Sequence, residues 1–156
     1  MGAFIDQRLP EDETREPILR SPAVVNLLIL AFIAVHVVTH EFLSDAALND
    51  FLLNFSMTPE RLVTPAGFLQ PPVWISPWVT LITYAFLHGD YMHLAFNVMW
   101  FMIFGTAVAR RVGAARFLAL SLVTVLGAAV THLAFYWGSP SPVVGASGAV
   151  SGLMGA

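Results

Sequence analysis

The sequence contains no cysteine and no lysine, and only 11 % of its 156 residues are charged. Without cysteine it can form neither a disulfide framework nor a thiolate metal site. Its seven cations are all arginines, and a net charge of −3 excludes the clustered basic surface that nucleic acid binds. Hydrophobic residues make up 57 %, against roughly 45–50 % in soluble domains. One small water-soluble core cannot bury that excess, so the composition indicates an integral membrane protein.

Runs without Asp, Glu, Lys or Arg locate the membrane-spanning helices. A charged side chain at mid-bilayer costs about 2.5 to 3.5 kcal/mol, and a helical span needs about 20 apolar residues. Uncharged runs cover residues 21–40, 91–109 and 117–156. The last is too long for one helix and is divided by the sequence GSPSP. We therefore predict an all-α, polytopic transmembrane helix bundle, with helices at about 22–40, 91–109, 117–137 and 145–156.

The remaining segments are polar or mixed. Residues 1–20 carry five acids and three arginines, which predicts a polar cytoplasmic tail rather than a signal peptide. Residues 41–77 combine acids, prolines and aromatics, which is typical of a loop lying at the membrane interface. Arginines lie before the first helix and between the second and third, so the positive-inside rule places the N-terminus inside. The last helix has no stop signal, and we expect a longer protein.

The predicted topology brings three polar side chains to the outer ends of their helices. His93 and Asn97 lie four residues apart and therefore share one face of the second helix. Ser147 begins the fourth helix between small neighbours, in the sequence GASG. A serine hydroxyl beside unpaired backbone N–H groups and two side-chain donors is the arrangement that acyl transfer requires.

At these residues the sequence resembles the rhomboid family of intramembrane serine proteases. GASG at 145–148 is similar to the family's G-x-S-G, and His88, His93 and Asn97 match its H-x4-H-x3-N. G-x-S-G alone is a weak signal, because such sequences are common in membrane helices. Both motifs on the expected helices, behind a long first loop, are much more specific. The resemblance covers about residues 22–156.

The resemblance implies a serine endopeptidase that cleaves peptide bonds in or next to transmembrane segments. Ser147 would be the nucleophile, and the side chains of His93 and Asn97 would form the oxyanion hole with the Ser147 N–H. A contribution to substrate binding is expected from Gly145, Gly148 and His88. The family's general base is a histidine on the sixth helix, which lies beyond this chain.

Residues 21–156 would then be a partial rhomboid membrane domain with about four of six core helices, inactive alone because the base is missing. The implied partners are transmembrane protein substrates and the lipid bilayer, in a bacterial inner membrane. No cofactor and no metal are implied, and the oligomeric state is left open.

Three positions depart from the family pattern. Ser151 stands where many members have a tyrosine, Trp78 and Val79 replace a Trp-Arg pair, and Ala109 replaces a common glutamate. These differences keep open a rhomboid-like pseudoprotease that binds membrane proteins without cleaving them. A second alternative is a transporter segment whose helix start at Gly145 holds an anionic group.

Each site residue also has a purely structural interpretation. Small residues at helical spacing are typical of a helix-packing face, here Ser147, Gly148, Ser151, Gly152 and Gly155. Asn97 could form an interhelical hydrogen bond, and His93 could be a buried core histidine.

Three further histidines carry weaker signals. His36 and His40 share a helix face but lack a third ligand, so we expect interfacial histidines rather than a metal site. His132 on the third helix could be a substitute base, but nothing in the sequence orients it.

Overall fold

The computed structural model describes residues 21–64 and 75–156. The predicted tail at 1–20 lies outside these ranges, as does part of the predicted interfacial loop. Within the described ranges the chain forms helices joined by short connections, with one isolated β-bridge between Met57 and Val143. The predicted all-α class is confirmed.

In chain order, the helices of the described ranges are α1 (Ala23–Val37), α2 (Asp45–Phe55), α3 (Pro59–Val63), α4 (Thr80–Thr83), α5 (Tyr91–Val112), α6 (Ala114–Phe135) and α7 (Ser147–Met154). A π-helical turn, Val38–Phe42, continues α1, and 3-10 turns at Pro77–Val79 and Tyr84–Phe86 flank α4. Three helical segments are long and apolar enough to cross a membrane, namely Ala23–Phe42, Tyr91–Val112 and Ala114–Phe135. Large apolar side chains on their outer faces are exposed, as is usual where helices face lipid.

A single residue connects the two longest helices. Gly113 follows α5 and precedes α6, and its φ of +82° is a conformation that residues with a Cβ rarely adopt. Both helices are therefore longer than the uncharged runs, and they include the basic residues that we expected in a loop. Arg110 and Arg111 occupy the last turn of α5, where cations interact favourably with the helix dipole.

The connection between α1 and α4 is attached to the loop before α7. Pro59 occupies the first turn of α3, a position that tolerates its missing N–H. The backbone N–H of Glu60 donates to the Ser139 carbonyl at 3.0 Å, and Met57 and Val143 exchange two backbone hydrogen bonds. The first connection and the loop preceding α7 therefore meet at one end of the bundle.

Aromatic side chains fill the centre of the bundle. Phe101 of α5 packs edge to face on Phe32 of α1, with ring centroids 5.3 Å apart, and on Phe117 of α6 at 5.9 Å. All three side chains are buried, and such pairs contribute about 0.5–1.5 kcal/mol beyond the burial of their area. This cluster fixes α5 between its neighbours and so positions the polar residues near its N-terminal end.

Candidate active site

Asp90 begins α5 and sets the position of His93. Its Oδ1 accepts a hydrogen bond from the His93 backbone N–H at 2.7 Å, which caps the helix. Because this bond stabilises the ionised carboxyl, the pKa of Asp90 lies below its usual value. The capped first turn gives His93 and Asn97 a defined starting geometry.

His93 and Asn97 are neighbours on one face of α5, as their spacing predicts. The Asn97 side-chain amide donates to the His93 carbonyl at 2.9 Å, and Asn97 is buried. The backbone N–H of Gly89 donates to Nδ1 of His93 at 3.4 Å. In a neutral imidazole a nitrogen that accepts carries no proton, so this bond assigns the proton to Nε2. Nε2 of His93 is therefore a hydrogen-bond donor.

Gly145 brings the segment before α7 against these donors. A Cβ at this position would lie 2.7 Å from Nε2 of His93 and 4.0 Å from Nδ2 of Asn97, and φ is +119°. Only glycine fits both the conformation and the close approach. Because Ser147 follows two residues later, the chain leading to it is held beside the imidazole and the amide.

Ser147 is the first residue of α7, and its side chain is exposed. The structure gives its hydroxyl no hydrogen-bond partner among the described residues. Backbone bonding in α7 starts with the N–H of Val150 donating to the Ala146 carbonyl at 3.0 Å, and no side chain described here caps the helix. The N–H groups of the first turn are therefore free to donate to an oxyanion.

The glycines of α7, and not its serines, make its close contact with α6. A Cβ on Gly148 would lie 2.6 Å from Cβ of Ala128, and one on Gly152 would overlap the side chain of Thr124. Ser147 and Ser151 lie on a different, exposed face of α7. The helix-packing face therefore consists of the two glycines, and the serine hydroxyls are accessible. A role of Gly148 towards a substrate stays a prediction.

His88 is buried behind His93. The two rings meet at 71°, with centroids 5.3 Å apart, and neither ring nitrogen of His88 has a hydrogen-bond partner in the described part of the chain. Burial, together with the imidazoles of His93 and His36, lowers the pKa of His88 to about 4. His88 is therefore neutral near pH 7 and supports His93 without adding a positive charge.

His36 connects α1 to the loop that carries His88. It is fully buried, and its Nδ1 donates to the His88 carbonyl at 3.2 Å. His40 stacks on it with ring centroids 3.9 Å apart. His36 is thus a packing residue inside the bundle, and the interfacial position that we expected for His36 and His40 stays a prediction. Residues 21–64 and 75–156 contain no group of three His, Cys, Asp or Glu side chains that could hold a metal ion.

Tyr84 belongs to this site although no motif indicated it. Its hydroxyl donates to the Val125 carbonyl of α6 at 2.9 Å, and its own carbonyl accepts from the Gly145 N–H at 2.9 Å. Burial raises the pKa of the hydroxyl. A single tyrosine among apolar residues has no distinguishing sequence pattern, so its link between α6 and Gly145 is visible only in three dimensions.

The other positions singled out in the sequence lie apart from the contact of Gly145 with His93 and Asn97. His132 stacks on Tyr136 with ring centroids 4.4 Å apart, and within the described ranges no hydrogen bond joins it to Ser147. Ala109 is buried near the far end of α5, and Trp78 is exposed beside α4.

Fold and site together define a class of protein. It is a helical membrane protein in which a serine begins a helix, and the segment before that helix contacts an imidazole and a buried amide. Residues 76–156 match the profile of the Rhomboid domain family. The chain belongs to the rhomboid family and is an integral membrane protein.

Named relatives agree with this assignment. The chain is 35 % identical over 121 residues to rhomboid protease GluP of Bacillus subtilis, a match covering 76 % of this chain and 23 % of the relative. It is 32 % identical over 86 residues to rhomboid protease GlpG of Klebsiella pneumoniae, covering 55 % of this chain and 30 % of that protein. Rhomboid protease GlpG of Pectobacterium atrosepticum is 34 % identical over 94 residues, which cover 60 % and 31 % of the two chains. The aligned part of this chain thus spans less than a third of each of these relatives.

Proposed function

We propose that this chain carries the nucleophile and oxyanion hole of an intramembrane serine endopeptidase. The observation that supports this most directly is the contact of Gly145 with His93 and Asn97, which holds the residues leading to Ser147 against two hydrogen-bond donors. The names of the relatives point to the same activity.

In the proposed reaction, the Ser147 hydroxyl oxygen attacks the carbonyl carbon of a peptide bond. The oxyanion that forms accepts hydrogen bonds from Nε2 of His93, the Asn97 amide and the backbone N–H of Ser147. A base must take the hydroxyl proton and return it to the leaving amine. We assign this role to a histidine outside the 156 residues, which gives a Ser-His dyad, and we expect the 156-residue polypeptide alone not to cleave.

The proposed substrates are transmembrane segments of other proteins. A peptide carbonyl inside a helix already accepts a hydrogen bond, so a substrate helix must unwind locally before attack. Water must also reach the acyl-enzyme. Gly89 and Asp90, at the exposed start of α5, lie at the end of the bundle where it can enter.

We propose that this end faces away from the cytoplasm, in a bacterial inner membrane. The exposed residues Arg110, Arg111 and Arg116 surround Gly113 at the opposite end of α5 and α6. Arginines concentrate on the cytoplasmic side of membrane proteins. With α5 descending towards that side, α1 runs outward and its N-terminus is cytoplasmic.

The proposal is tested by cleavage of a labelled transmembrane substrate by the full-length protein in liposomes. We expect Ser147→Ala to abolish cleavage and Asn97→Ala to reduce it by about 10²–10³, the usual cost of one oxyanion donor. Ser141→Ala, at an exposed serine of the loop before α7, is the control and retains activity. Cleavage that survives Ser147→Ala would refute the proposal. Substrate binding without any cleavage would favour the pseudoprotease alternative.

A further inference from the structure

Arg61 is buried without a counter-charge. The side chain belongs to α3 and is only 5 % exposed, and its Nε and Nη1 atoms are enclosed with no hydrogen-bond partner among residues 21–64 and 75–156. Burial lowers the pKa of Arg61, and within the described ranges no carboxylate accepts a hydrogen bond from Nε or Nη1. The neighbouring residues 65–74 contain neither Asp nor Glu. Enclosing a guanidinium without an anion is strongly unfavourable, so this position calls for an anionic ligand.

The position of Arg61 in the bundle indicates where such a ligand comes from. The backbone bond from Glu60 to Ser139 places α3 at the end of the bundle where α1 ends and α5 begins. Exposed aromatic side chains surround this end, namely Trp78, Tyr91, Tyr136 and Trp137. Tyrosine and tryptophan concentrate at the level of the lipid headgroups. In a bilayer this end of the bundle, and Arg61 with it, would lie at the level of the phospholipid phosphates.

We propose that Arg61 binds the phosphate of an anionic phospholipid. With Nε and Nη1 enclosed, Nη2 is the guanidinium nitrogen left to donate to a phosphate oxygen, and a guanidinium is less strongly hydrated than an ammonium group. An anionic headgroup is favoured over a zwitterionic one because its phosphate charge is not balanced by a cation on the same lipid. The bound lipid would supply the missing counter-charge and stabilise α3 against the loop before α7. This site is independent of the proposed proteolysis.

The test compares the wild-type chain with Arg61→Met in a neutral detergent, with phosphatidylglycerol, phosphatidylcholine or inorganic phosphate added. Thermal unfolding and native mass spectrometry measure stabilisation and bound lipid. We expect phosphatidylglycerol to raise the wild-type Tm by about 3 °C or more and to remain bound at one copy. We expect Arg61→Met to lose this rise and to bind phosphatidylglycerol about tenfold or more weakly, because charge-assisted hydrogen bonds are lost.

Two further variants keep the test decisive. Arg116→Met removes an exposed arginine at the opposite end of the bundle and should respond to lipid like the wild type. Arg61→Lys keeps the charge but not the planar, weakly hydrated guanidinium, so it should retain a weaker response even if Arg61→Met fails to fold. An equal Tm rise in Arg61→Met, or no rise in the wild type, would overturn the proposal. So would an equal rise with inorganic phosphate, which would show a free-anion site rather than a lipid site.

Discussion

Gly145 determines how closely the segment before Ser147 approaches α5. Any side chain at this position would strain a backbone with φ of +119° and would displace the imidazole of His93. A substitution should therefore disturb the position of the His93 donor relative to the segment that leads to Ser147.

We expect Gly145→Ala to lower the rate of substrate cleavage by about 10²–10³, comparable to the loss of an oxyanion donor. Gly127→Ala is the matched control, because no neighbouring atom lies within 4 Å of a Cβ at that helical position. Its activity should be unchanged. If the two variants cleave the labelled substrate equally well, the close approach of Gly145 to His93 has no role in catalysis.

The buried imidazole of His88 makes folding stability dependent on pH. Its pKa is about 4 in the folded chain and near 6.5 when exposed, so between these values the unfolded state binds more protons. The contribution of His88 to the free energy of unfolding is fully present above about pH 6.5. It falls as the pH drops towards 4, by at most about 1.4 kcal/mol per pH unit. The lowered pKa of Asp90 affects stability only at lower pH. Its contribution to the free energy of unfolding is lost as the pH falls below the usual pKa of an aspartate.

Unfolding in detergent between pH 4 and 7 measures this effect. We expect His88→Asn to flatten the pH dependence relative to the wild type. A slope that persists in His88→Asn would place the titrating group elsewhere.

At the scale of the helices, the sequence predicted the features that follow from hydropathy and helical periodicity, namely the positions of the long helices and the neighbours on one helix face. Uncharged runs located α1, α5 and α6, and a spacing of four residues placed His93 beside Asn97. Other features depend on conformation or burial. The one-residue turn at Gly113 extends helices through charged residues, and nothing in the sequence around Tyr84 or Arg61 distinguishes a buried polar side chain from an exposed one.

The packing of α7 on α6 depends on Gly152. We expect Gly152→Ala to destabilise the protein by about 1–3 kcal/mol, because the added methyl overlaps Thr124 and forces the helices apart. Gly155→Ala, where a Cβ would meet only ordinary contacts at 3.7 Å, should be close to neutral. Combining Gly152→Ala with Thr124→Gly should recover part of the loss. Chemical unfolding of the wild type, the two single variants and the double variant measures this as a coupling energy. Purely additive effects would contradict this contact.

At the scale of the whole molecule, Ser147 and the arginine cluster lie at opposite ends of the bundle, and the sequence has no cysteine. Single cysteines can therefore report orientation without background. We expect Ser141→Cys to react with a membrane-impermeant maleimide added to intact cells, and Ala115→Cys, beside Gly113, to react only after the inner membrane is permeabilised. The reverse labelling pattern would invert the proposed topology.

The bridge between Met57 and Val143 has a mechanical consequence. Val143 is four residues before Ser147, so any outward movement of α2 and α3 pulls directly on the segment that leads to the Ser147 hydroxyl. A molecule entering the bundle by pushing this rim aside would have to break two backbone hydrogen bonds or drag the serine with it. Entry by that route and the position of the Ser147 oxygen are therefore not independent.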